Sequence, residues 1–185
     1  MITPDQVLYF WFAGDPGVRR LTWFKKTDEF DIECAQFSES VVDARTGAYD
    51  DWAATSRGSL ALLILLDQLP RNLYRGSALA FASDEKARSV ARAAIDRGFD
   101  RELTVFERMF MYLPFEHSED PADQDESVRL FELLGGEVAD DPARYARDHR
   151  DVIRRFGRFP HRNAALGRTN TPEEEAYLAQ PGAGF

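Results

Sequence analysis

Leu60-Ala-Leu-Leu-Ile-Leu-Leu-Asp-Gln-Leu-Pro-Arg-Asn-Leu-Tyr-Arg-Gly76 is the most apolar run in the chain, and it ends in a knot of polar side chains. Seven apolar residues lead into Asp67, Gln68, Arg71 and Asn72, with Pro70 between them. A run of this length is too short to span a bilayer and reads as a buried core helix. Pro70 is expected to stop that helix, which runs from about Ser56 to Leu69. Four hydrogen-bonding side chains at the end of a buried helix need partners, so this stretch sets the frame for the rest.

Working outward, helix signals recur on both sides. Thr3-Pro4-Asp5-Gln6 is a capping box with proline at the first helical position. Val7 to Phe12 follow, and Gly14-Asp15-Pro16-Gly17 ends the segment. Phe10, Trp11, Phe12, Trp23 and Phe24 read as aromatics that dock the first helix on the core. Thr27 caps the next helix, whose stripe is Phe30, Cys34, Phe37, Val41 and Ala44, and Gly47 closes it. Tyr49 to Trp52 reads as a loop or short turn. Ser83 is expected to cap a helix carrying Ala87, Val90, Ala91, Ala94 and Ile95, closed by Gly98. A further helix covers about Glu102 to Leu113, stopped by Pro114. Asp120-Pro121 opens one to Leu134, closed by Gly135-Gly136. Asp141-Pro142 opens another, with Ala146, His149, Ile153 and Phe156 inward. Thr171-Pro172-Glu173-Glu174 opens a short last one.

No stretch alternates apolar and polar residues as a strand does. The expectation is an all-α chain of about eight or nine helices, stacked as antiparallel pairs in a single domain over 1–185. The 185 residues, 44% hydrophobic and 30% charged, have the composition of an ordinary soluble domain. A net charge of −9 argues against nucleic-acid binding. Cys34, the single cysteine, cannot form an intramolecular disulfide, and it sits on an apolar stripe as a core residue. The opening residues lack a signal-peptide pattern, and no segment reads as a membrane span. These readings place the protein in the cytoplasm, with no nucleic-acid or membrane partner.

Three polar knots carry the candidate chemistry. The first is Asp67, Gln68, Arg71 and Asn72. The second is His117, Ser118, Glu119 and Asp120. The third is Arg158, His161, Arg162 and Asn163. Each follows an apolar helix, and the Leu69-Pro-Arg-Asn ending is echoed by Phe159-Pro-His-Arg-Asn163. The bland reading is local: Asp67 pairs with Arg71 across one turn, acids at 119 and 120 suit the helix that follows, and His161 and Asn163 cap. The functional reading joins the knots as a polar pocket, in which Arg71, Arg158 and Arg162 hold a small anionic or polar ligand. If that pocket is catalytic, His117 or His161 is the base, with Glu119 or Asp67 orienting it. Ser118 beside His117 is a weaker nucleophile candidate. A metal would draw on His117, Glu119, Asp120 and His161, whose spacing matches no recognised ligand pattern. No metal or cofactor is expected, and His149 reads as a hydrogen-bonded core histidine. The alternative is a helical adaptor that holds a peptide or protein partner in a groove lined by successive helices.

Asp67-Gln-Leu-Pro-Arg-Asn-Leu-Tyr-Arg-Gly76, Tyr112-Leu-Pro-Phe-Glu-His-Ser-Glu-Asp120 and Arg155-Phe-Gly-Arg-Phe-Pro-His-Arg-Asn-Ala-Ala-Leu-Gly-Arg168 together resemble the bacterial domain-of-unknown-function family 924. Val7 to Gly14 and the Trp23-Phe24 pair fit the same family, and the likeness covers nearly the whole chain. The resemblance implies a tetratricopeptide-like fold, a right-handed superhelix of helix pairs. It implies no activity.

Overall fold

The computed structural model describes residues 2–135 and 142–184. Gly136 and Asp141, two of the expected helix boundaries, lie outside the described residues. Ten α-helical segments run through the described residues, which contain no strand: α1 Pro4–Phe12, α2 Asp28–Cys34, α3 Ser38–Thr46, α4 Ser56–Leu63, α5 Leu69–Leu73, α6 Asp84–Asp96, α7 Val105–Glu116, α8 Pro121–Leu133, α9 Pro142–Phe156 and α10 Pro172–Leu178. A 3₁₀ turn, Ala35–Phe37, joins α2 to α3, and a π-turn, Ile64–Gln68, joins α4 to α5. The chain therefore has eight continuous helices among these residues, as the periodicity predicts. The residues expected as a turn at 49–52 fall largely in a 3₁₀ helix, Asp50–Ala54.

The chain divides into two compact units. One comprises Met1–Arg75 and Leu79–Pro114, the other Gly76–Ala78 and Phe115–Phe185. In the first unit the core is the buried run Leu60–Leu66, every residue of which is fully buried. Each large side chain of that run contributes roughly 1.5–3 kcal/mol by leaving water. Trp11, Phe12, Trp23 and Phe110 pack edge to face, with ring centroids 4.9–5.6 Å apart. Trp11, Phe12 and Trp23 are buried as expected, whereas Phe24 is half exposed. Cys34 lies in the core, where burial pushes its thiol up to about 12.

Thr3, Thr27, Thr55 and Thr171 each cap a helix through the side-chain oxygen. Gly47 and Gly98 close theirs with left-handed backbone. The two expected proline stops are wrong. Pro114 lies inside α7, which continues to Glu116. At Pro70 the helix also runs on, because it first widens. The Leu69 N–H reaches back five residues to the Ile64 carbonyl, and the added residue accommodates the proline ring. Proline has no N–H to offer the Leu66 carbonyl, and Ser83 supplies the donor instead, Oγ to O at 2.8 Å. Ser83 therefore does not cap α6 with its side chain, as its position had suggested.

Gly58, in the first turn of α4, shows how tightly this unit is built. A Cβ placed there would stand 2.1 Å from the Trp52 carbonyl oxygen. Helix propensity alone favours Gly58→Ala by up to about 1 kcal/mol. The collision dominates, so the variant should lower stability by about 1–3 kcal/mol. Denaturant titration of the two proteins measures the difference, and an unchanged or raised midpoint contradicts the stated packing.

Candidate functional site

The turn after α7 is fixed by side chains from α8. Gln124, fully buried, donates Nε2 to the carbonyls of Glu116 and Ser118 at 2.7 and 2.6 Å, and more weakly to Phe115. These include carbonyls that the end of α7 leaves without helical partners. Ser118 donates Oγ to Asp123 at 2.7 Å and accepts the Asp120 N–H. Asp120 accepts the Ala122 N–H and caps α8. Ser118 is thus a buried tie rather than an exposed hydroxyl.

Within the second unit, the second and third knots meet. Glu119 accepts the Phe159 N–H at 2.8 Å and is gripped by both terminal nitrogens of Arg168 at 2.8 and 2.9 Å. Burial pushes the Glu119 carboxyl up, but Arg168 and the Phe159 N–H outweigh it and hold the group below the usual carboxylate range. Arg168 also donates to Asn163 Oδ1 and the Phe159 carbonyl. The Asn163 amide in turn reaches Asn170. Arg158 clamps Glu174 through Nε and Nη2 at 2.6 and 2.8 Å. That guanidinium, with the Thr171 N–H, draws the Glu174 carboxyl down to about 2. Two carboxylates thus answer two arginines. Arg168 lies within the motif ending at that residue, but its role was not legible, because its acid stands forty-nine residues away.

What remains gathers around Phe159. His149 meets the Phe159 ring edge-on, centroids 5.7 Å apart, and lies 6.5 Å from the His117 ring. His161 lies 5.5 Å from the Phe159 ring, and the Arg162 guanidinium stands 4.5 Å over its face. All three histidines of the protein are in this group. Arg162 and His149 are each 6% exposed, and Glu116 brings a buried carboxylate 3.5 Å from His149 Nδ1. His149 donates Nδ1–H to the Tyr145 carbonyl at 2.8 Å, since a carbonyl can only accept. Burial drives its pKa down to about 3. The Tyr145 carbonyl opposes that shift, and His117, His161 and Arg162 reinforce it. His149 is therefore neutral at physiological pH. The chain near Gly184 runs over His161, where any Cβ would come within 3.0 Å of the histidine Cβ.

The first knot belongs to the first unit and is engaged there. Arg71 grips both Asp84 oxygens at 3.0 Å and reaches the Asp67 carbonyl at 2.6 Å and carboxylate at 3.2 Å. The expected Asp67–Arg71 pair across one turn is present. Burial would lower the Arg71 pKa, but the two carboxylates raise it overall. Gln68 donates to Asp67, and Asn72 joins Arg75 on Asp31. Among the described residues no group of three or more His, Cys, Asp or Glu is placed to hold a metal. Two open surface grooves lie on other residues, one along α6 from Glu85 to Asp96 and one beside Tyr9 and Phe37.

Three comparisons bear on this arrangement. A family model described as bacterial protein of unknown function (DUF924) matches residues 7–182. The solved structure of the protein of unknown function ATU0120 from Agrobacterium tumefaciens is 40% identical, with a TM-score of 0.86 over 96% of this chain and 97% of that one. The comparison with curated proteins finds no match.

The His149 shift fixes a pH dependence. In the unfolded chain this histidine gains a proton below its ordinary value of 6.5, while in the fold it stays neutral until about 3. Stability from this group is complete above pH 6.5 and is lost as pH falls toward 3. Between pH 6.5 and 5 the loss amounts to about 2 kcal/mol. Unfolding measured across that window should show a shallower decline for His149→Phe than for wild type. Parallel curves for the two proteins refute the assignment. Glu174, drawn from 4.5 to about 2, acts in the same direction but only as pH falls through 4.5.

Proposed function

The chain belongs to the bacterial family DUF924, of unknown function, and from that premise we propose that its second unit binds a small anionic ligand at the cluster around Phe159. Arg162 is the anion-binding cation, His161 is a donor beside it, and His117, next to His149, is a further donor. The observation that carries this reading is the gathering of His149, His161 and an almost fully buried guanidinium about one ring, with His117 beside His149. Burying a guanidinium is costly unless an opposite charge or strong acceptors offset it, and a bound carboxylate or phosphate adds such an offset. Arg158 and Arg168, matched to Glu174 and Glu119, hold the turn that carries Arg162. Glu119 and Asn163 accordingly position the site rather than contact ligand. Asp67, Gln68, Arg71 and Asn72 stabilise the first unit in this reading. A cytoplasmic setting follows the same proposal, supported by the single buried cysteine. No helix among the described residues is long and apolar enough to cross a membrane.

Thermal unfolding of the full chain with inorganic phosphate, sulfate or a short dicarboxylate tests the proposal. An anion at a hundred times its Kd adds about 2.7 kcal/mol, or roughly 5–10 °C for a chain of this size. Arg162→Gln should abolish the rise, His161→Asn should reduce it, and Arg71→Gln should leave it intact while lowering the starting midpoint. If no anion raises the wild-type midpoint, or Arg162→Gln responds as wild type does, the site is wrong.

A further inference from the structure

We propose that residues 18–26 of the first unit dock an acidic peptide segment of a partner protein, one that presents Asp or Glu side chains around apolar residues. This stretch, Val-Arg-Arg-Leu-Thr-Trp-Phe-Lys-Lys, links α1 to α2 through a 3₁₀ turn at Leu21–Trp23. Its inner side is fixed. Arg20 donates to the carbonyls of Phe10 and Trp11 at 2.7 and 2.8 Å, and Trp23 donates Nε1 to Trp11 O at 2.8 Å. Arg20, with extended backbone just before the turn, and Trp23 at its end thus anchor the stretch to α1.

Three apolar side chains of the same stretch are open to water. Val18, Leu21 and Phe24 are 56%, 77% and 49% exposed. Phe24 is seated by stacking 6.2 Å from Phe110, and the Arg19 guanidinium lies 5.7 Å from the Phe24 ring. Scattered exposed apolar residues are ordinary on a protein surface. Here three lie within seven residues of one anchored connection, and cations border them. Arg19, Lys25 and Lys26 are the cations left to that outer side, and the stretch 18–26 holds no acid in a chain whose net charge is −9. Two of the three lysines in the protein are adjacent at its end.

Charge complementarity selects the occupant. A basic rim around apolar side chains fits carboxylates around an apolar anchor. A flat anionic bilayer would extend beyond the patch and face the acidic remainder of the protein, which repels it. A single peptide segment stays within about 8 Å of the basic rim, inside the range of unscreened attraction.

The test uses the full chain and a fluorescein-labelled ten-residue peptide of alternating glutamate and leucine, read by fluorescence anisotropy. Binding should saturate and weaken about fivefold or more between 50 and 300 mM salt. Lys25→Glu with Lys26→Glu should weaken it about tenfold, and Leu21→Ser about fivefold. These side chains are exposed, and an unchanged thermal midpoint confirms that each variant is folded. No binding, or equal binding by the charge-reversed protein, overturns the proposal. So does a patch whose substitutions leave peptide binding unchanged but abolish sedimentation with phosphatidylserine vesicles, or shift the oligomeric state. The first of these outcomes assigns the surface to lipid, and the second to another copy of the chain.

Discussion

A proline without an N–H, set in a helix that is buried on all sides, is the constraint from which the first unit is built. The Leu66 carbonyl loses its helical donor at Pro70, and leaving it unsatisfied in the core would cost about 1–3 kcal/mol. The Ser83 hydroxyl closes that gap. One residue later, Asp84 takes both arms of Arg71, whose guanidinium also reaches the Asp67 carbonyl. Asp84 opens α6, where the helix dipole already favours an acid. The widened turn, the proline and the arginine therefore fasten the end of one helix to the start of another. The apolar run supplies burial, while this polar joint sets where its end lies.

The second unit uses polar groups differently. Gln124, Ser118 and Asp123 hold the turn after α7, and Glu119 with Arg168 ties that turn to the backbone at Phe159. Most of its charge is matched within a few ångströms. The histidine and Arg162 group adds an aromatic centre, with the Phe159 ring among His149, His161 and the Arg162 guanidinium and the Glu116 carboxylate beside His149.

Much of the helix plan was legible because its signals are local. Thr3, Thr27 and Thr171 announce their helices within four residues, and the structure places their oxygens on the expected N–H groups. Pro70 and Pro114 misled because a proline stop is also a local rule, and tertiary packing overrides it. Ser83 has the spacing of a cap, yet its partner lies seventeen residues upstream. Of the three knots, composition identified the residues but not their pairings. Asp67 and Arg71 were readable at one helical turn. Glu119 with Arg168, and Arg158 with Glu174, were not, because no periodicity spans a loop. His149 is buried as its stripe suggests, but nothing in its spacing reveals that the other two histidines gather near it.

Glu174 holds two posts at once. It completes the capping box of α10 by accepting the Thr171 N–H, and it takes both donors of Arg158. Fraying of α10 and release of Arg158 are consequently a single event. Amide protons of the last helix and of the turn at Arg158 then exchange as one opening unit, and the short helix inherits a protection that its seven residues could not generate alone.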